Sequence, residues 1–215
     1  MPQPCYTFRV SEGELEEPLL AEGWVDEQVR EEFPELRLRT AVVERGSGRT
    51  PAEIRQRLRM LSDRFRGAQA IALRRSPIPS AYRVFFRHVG LDPDTTRTPV
   101  EEAAVQRLVK GAFQATNLLD DALLIALVET GIPLWAVDAD RTREPLGIGT
   151  SPDGRLAVCD ADGPLATLFG PVDAAHVVTK DTTRMLIYTI QVPSVPPIFV
   201  DEAMWTCLGV LQDAG

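Results

Sequence analysis

Trp135, Asp138 and Asp140 stand close together, where a short apolar run from Leu134 to Val137 gives way to two carboxylates. Acidic groups just past a strand sit where ligand-binding loops gather. Trp135 itself reads either as ordinary core or as the wall of a ligand cavity. Asp121 is unusual for a different reason, because it lies on a helix with almost no other polar face. Such a carboxylate either uses the amide dipoles at the helix start or borders a cavity. His176 precedes the polar stretch Thr179-Lys180-Asp181-Thr182, a position from which an imidazole either meets a pocket rim or makes a local hydrogen bond. A nucleophile, a base and an orienting group do not occur together at convincing spacings. The chain has no phosphate-cradling Walker loop, GxGxxG, HExxH or GxSxG motif. Its only histidines, His88 and His176, have no Cys or Asp at ligand spacing, so neither a metal nor a cofactor is expected.

The second chemical signal is charge. Net charge is −8, yet Arg55, Arg57, Arg59, Arg64, Arg66, Arg74, Arg75, Arg83 and Arg87 face one acid, Asp63, between positions 55 and 87. An acidic chain is repelled by nucleic acid at long range, which excludes a nonspecific nucleic-acid sponge. One arginine-rich segment can still grip phosphates locally. Arg55, Arg59, Arg66, Arg74, Arg75, Arg83 and Arg87 are the candidate phosphate contacts, and a solvated basic helix face is the plainer reading.

These groups must be held by elements that the pattern makes legible. Leu36, Leu38, Val42 and Val43 alternate with Arg37, Arg39 and Thr40 as in a half-buried strand. Pro51 opens a helix running to about Phe65, with Ile54, Leu58 and Leu61 on one side. Tyr82, Phe85, Phe86 and Val89 recur at helical spacing and form a core stripe closed by Gly90. Thr98, Pro99 and Glu101 compose a capping box. Asn117 caps a central helix from Leu118 to Thr130, stopped by Gly131 and Pro133. Strands follow at Leu134–Val137, Leu146–Ile148, Leu156–Cys159, Leu165–Phe169 and Met185–Val192, the last apolar on both faces. A prolyl stretch, Val192 to Pro197, ends the ladder, and a short helix is expected near Asp201–Leu211.

With 44% hydrophobic and 25% charged residues, the chain has ordinary globular composition. Its apolar runs fall short of the ~20 residues that cross a bilayer, and its first residues do not form a secretory signal. Cys5, Cys159 and Cys207 are widely spaced and odd in number, as expected of free thiols in a reducing cytoplasm. The expected fold is α+β (mixed α/β), one domain with a mixed sheet packed against helices. Residues 1–35 form an acidic segment that is part of, or appended to, a body spanning 36–215.

The order of segments from about Leu36 to Val192 resembles the B3/B4 domain. That module forms the editing domain in the β subunit of bacterial phenylalanyl-tRNA synthetase and also occurs in freestanding bacterial proteins. The resemblance is carried by Arg107-Leu108-Val109-Lys110-Gly111, Leu118-Leu119-Asp120-Asp121 and the run from Val128 to Asp138. Val158-Cys159-Asp160, Leu165-Ala166 and Lys180-Asp181-Thr182-Thr183-Arg184 extend it. The stretch Ala81-Tyr82-Arg83 and the Pro99 segment resemble the freestanding branch. In the synthetase this domain hydrolyses tyrosine wrongly attached to the phenylalanine tRNA. The resemblance therefore implies a tRNA or aminoacyl-tRNA partner and hydrolysis of an aminoacyl ester, with Asp121, Trp135, Asp138, Asp160 and His176 around the pocket. Trp135 stands where the family has a pocket histidine. Ala174 or a neighbour, with Asp173 one residue earlier, stands where it has a tyrosine-recognising glutamate. A non-catalytic RNA- or protein-binding module, and a small-molecule enzyme or ligand-binding protein reusing the pocket, are the two other readings.

Overall fold

The computed structural model describes residues 20–65, 72 and 75–214, and it is an α+β fold. Strands β1 (Ala21–Glu22) and β2 (Trp24–Val25) and helix α1 (Glu27–Glu32) come first, followed by β3 (Arg37–Val43). Helices α2 (Ala52–Arg64), α3 (Pro77–His88), α4 (Pro99–Lys110) and α5 (Leu118–Thr130) lead to β4 (Leu134–Asp138). Strands β5 (Gly147–Thr150), β6 (Leu156–Cys159), β7 (Pro164–Thr167) and β8 (Met185–Gln191) precede helix α6 (Pro197–Asp213). Two compact units result. Unit 1 combines the described residues up to Ser47 with Trp135–Gln191, and unit 2 combines Gly48–Leu134 with Val192–Gly215.

Unit 1 carries two four-stranded sheets, ordered β1-β3-β8-β4 and β2-β5-β6-β7. In the first, β3 and β8 run antiparallel with Leu38 opposite Ile190 and Thr40 opposite Tyr188. Every residue of β8 is buried, as an interior strand with covered faces requires. The second sheet is mixed, because β2 lies parallel to β5 whereas β5, β6 and β7 run antiparallel. Residues 20–35 thus supply a strand to each sheet. Their contribution escapes pattern reading because β1 and β2 have two residues each, too few for a period. Gly147 lets Trp24 lie on β5. A Cβ at that position would come within 2.0 Å of the indole, whose Nε1 donates to the Pro145 carbonyl at 3.0 Å.

Unit 2 is helical. The Asn117 side chain accepts the Asp120 amide and so caps α5. Gly131, at φ 79°, ends that helix in the left-handed conformation that glycine tolerates. Buried Leu118, Ala122, Ile125 and Ala126 give α5 its core face, and α6 packs on it. Helix α6 is longer than the expected Asp201–Leu211. Pro196 and Pro197 sit at its cap and first position, where a missing amide costs nothing. The capping box of α4 is built on charge. Glu101 Oε2 accepts the Thr98 amide at 3.2 Å and its hydroxyl at 2.9 Å, while Oε1 takes Arg83 at 2.6 Å. Cys159 and Cys207 are free and buried, and burial pushes the Cys207 thiol up to about 12. Cys5, Arg66 and Arg74 lie outside the described residues. Among the described residues no helix is long and apolar enough to cross a membrane.

Gly147→Ala should force Trp24 off β5 and lower stability by about 1–3 kcal/mol, the cost of overpacking a tight contact. Urea unfolding followed by tryptophan fluorescence measures it, and an unchanged midpoint would show that the indole moves without cost.

Candidate functional site

Three aromatic rings meet on unit 1. Trp135 of β4 stacks on Tyr188 of β8, with centroids 5.7 Å apart and planes 16° from parallel. Phe169 leans on Trp135 at 6.0 Å and 45°. Such pairs contribute about 0.5–1.5 kcal/mol beyond the area they bury. Tyr188 is fully buried, and desolvation raises its phenol above the usual range, so it stays neutral. Trp135 and Phe169 are only half-buried. The sequence pattern places Phe169 in a strand, but β7 stops at Thr167 and Phe169 adopts φ 64°. That conformation costs a bulky residue about 1–3 kcal/mol. The turn that imposes it is closed by the Gly170 amide on the Thr167 carbonyl at 2.8 Å.

A polar group forms where β4 ends. Asp138 is 5% exposed. Its Oδ2 accepts the Thr182 hydroxyl at 2.6 Å, its Oδ1 accepts the Asp140 amide at 3.1 Å, and Arg141 Nε stands 3.5 Å from Oδ2. The Asp138 amide donates to the His176 carbonyl at 2.8 Å, and its own carbonyl accepts the Thr142 hydroxyl at 2.8 Å. Beside it Arg184 pairs with Glu144 at 3.0 Å, Glu44 at 3.3 Å and Asp140 at 3.7 Å. The second Glu144 oxygen, Oε2, is buried with no partner among the described residues.

Asp160 follows β6 and accepts three amides, from Arg143 at 2.9 Å, Asp162 at 2.7 Å and Gly163 at 3.1 Å. Burial opposes its charge, but those amides and the nearby His176 outweigh it and hold the carboxyl below its usual range. The His176 amide donates to the Asp173 carbonyl at 3.0 Å, and its Nδ1 is buried without a partner among the described residues. Trp135, Asp138, Asp160 and His176 therefore all belong to unit 1. No group of three or more His, Cys, Asp or Glu side chains among the described residues is placed to hold a metal ion.

Asp121 belongs to unit 2 and is 1% exposed. Its Oδ2 accepts the Thr50 hydroxyl at 2.5 Å and its Oδ1 the Thr116 amide at 3.0 Å, so both oxygens are engaged at the start of α5. The arginines divide in the same way. Arg83, 12% exposed, binds Glu101, Asp94 and the Pro93 carbonyl. Arg55 donates to the Thr50 carbonyl, and Arg57 forms a two-point pair with Glu129. Arg59, Arg75 and Arg87 are exposed, with Arg87 3.8 Å from Asp94.

Sequence reasoning missed Phe169, Tyr188 and Arg184 as site residues. Arg184 ends the Lys180–Arg184 polar block, which was the available signal, whereas a Phe before a Gly carries none. No protein-family model matches the chain, and no curated protein matches it significantly.

Removing the Asp160 charge with Asp160→Asn should cost about 1–3 kcal/mol at neutral pH, as expected for a buried acceptor of several amides. The folded carboxyl titrates lower than the unfolded one, near pH 4. Its contribution is therefore full above that range and is lost as pH falls through the folded value. Urea melts of both proteins should differ by a constant amount from pH 7 to about 5, and the gap should begin to narrow only below about 4, closing once pH passes the folded carboxyl's own lower range. A gap that stays flat to the lowest pH would remove the ionised carboxylate from the account.

Proposed function

We propose that this chain is a B3/B4-like module that engages aminoacyl-tRNA and hydrolyses the ester joining a wrongly attached amino acid to the tRNA end, acting in trans. One observation carries the reading. The half-buried Trp135 ring is held flat by Tyr188 and braced by a strained Phe169, at the position where the resemblance expects the amino-acid pocket. Strain of that kind persists where the surroundings over-determine it, and ligand sites are common among such places. Asp138, Asp160, Arg184 and Glu144 belong to the same unit.

An aromatic wall selects an acyl side chain by apolar contact and shape. Discrimination of a hydroxyl would need a buried polar partner. Ala174 is exposed and offers none, and the Asp173 carboxylate accepts the Ala175 amide at 2.8 Å. At that position nothing selects a hydroxyl, so the favoured substrate is chosen there by an apolar or aromatic side chain. Arg59, Arg75 and Arg87 supply the phosphate contacts, since Arg55, Arg57 and Arg83 spend donors inside unit 2.

Incubation with tRNAs charged with phenylalanine, tyrosine, leucine, methionine or alanine tests the reading. Amino acid should be released faster than in buffer from at least one, and Trp135→Ala should slow that release about tenfold or more. No release across the panel would reject hydrolysis, and salt-sensitive tRNA binding on its own would then assign an RNA-binding module. Reversing Arg59, Arg75 and Arg87 to Glu should weaken tRNA binding and make the log–log salt dependence shallower by roughly 1–3, one step per lost phosphate contact. An unchanged slope would move the phosphate contacts elsewhere.

A further inference from the structure

We propose that the His176 imidazole is the base that takes the proton from the attacking water, with Asp160 as its positioning residue. The inference rests on the hydrolase reading above and names the group that the reading leaves open.

Three observations single out His176. Its backbone is pinned on both sides, by its amide on Asp173 and by the Asp138 amide on its carbonyl, so the ring starts from a fixed Cα. Its side chain is half-buried, with Nδ1 sealed away from solvent and without a protein partner among the described residues. An orphaned buried nitrogen is costly enough to need a reason. With Nδ1 closed, proton exchange falls to Nε2, which gives the ring one working nitrogen. The third observation is Asp160. Three amides fix its carboxylate, and after those amides the imidazole is a further influence holding that carboxyl below its usual range. A fixed negative charge beside a base stabilises the cation formed when the base accepts a proton. His88, in contrast, is exposed on α3 of unit 2.

The step balances with no further reagent. Nε2 removes a proton from water as the water oxygen bonds to the ester carbonyl carbon, giving a tetrahedral intermediate and an imidazolium. The bond from that carbon to the ribose oxygen then breaks, and the imidazolium returns its proton to that oxygen. The products are the free amino acid and a tRNA with an intact terminal hydroxyl.

The test uses the full chain and the charged tRNA that the panel shows to be hydrolysed. His176→Ala should lower kcat by about 10²–10⁴-fold, the range for losing a general base, with KM changed by less than about threefold. Free imidazole should restore part of that rate in His176→Ala and none in Trp135→Ala, a rescue that a purely structural histidine would not give. Asp160→Asn should lower kcat about tenfold and leave KM alone. His176→Gln, which keeps a polar side chain of similar reach, carries the same kcat test if the alanine variant does not fold. Wild-type hydrolysis with kcat retained in the folded His176 variants would overturn the inference and leave the hydrolase reading standing. No hydrolysis by the wild type would overturn both.

Discussion

The buried Asp138 carboxylate is the constraint on which unit 1 depends. Placing a carboxylate at 5% exposure forfeits its hydration, a loss of several kcal/mol unless donors replace the water. The Thr182 hydroxyl and the Asp140 amide do so, with Arg141 close by. Asp140 and Arg141 belong to the turn that follows directly, but Thr182 lies 44 positions on, so satisfying the charge also fixes the route of that distant segment. The same residue's backbone takes the His176 carbonyl and the Thr142 hydroxyl. One residue thereby ties the end of β4 to three segments, through its side chain at position 182 and through its backbone at positions 142 and 176.

The aromatic face follows a different logic. Trp135 and Tyr188 come from neighbouring strands, so sheet order brings their rings within stacking distance. Phe169 reaches them only through a backbone conformation that a glycine would hold more cheaply. A ring contact contributes about as much as that strain costs. The apolar area that the half-buried ring removes from water comes on top of that contact, so packing offsets the strain. The contrast with Gly147 is instructive. At that position the chain uses the residue that local sterics demand, and Trp24 occupies the space that results.

Local rules made much of this architecture legible. The Asn117 and Thr98 caps, the apolar α5 and the wholly buried β8 follow from residues within one turn or one strand of each other. The expected β6 coincides with Leu156–Cys159. Long-range pairings were not legible. The parallel pairing of Trp24 and Val25 with β5 joins residues more than a hundred positions apart through a strand too short to show a period. The arginine cluster was visible as charge, but nothing in its spacing shows that Arg83 meets Glu101 or that Arg57 meets Glu129. A charge count cannot separate a guanidinium held in an ion pair from one facing only solvent, because the distinction lies in partners 18 and 72 positions away.

The same distinction orders the candidate site. Asp121 is a carboxylate on an apolar helix, and it is buried. Both of its oxygens nevertheless accept hydrogen bonds, from Thr50 and Thr116, so breaking either to serve a ligand would cost what the fold gained. His176 and Glu144 are the reverse. His176 is anchored through both backbone groups and Glu144 through Arg184, and each keeps one buried atom without a partner among the described residues. A group held in place with hydrogen-bonding capacity unspent is already oriented and need not surrender an existing bond to meet a ligand; in His176 the buried Nδ1 is closed, which leaves Nε2 for that role. Burial alone marks a residue as structural, and burial with an unspent atom separates His176 and Glu144 from Asp121.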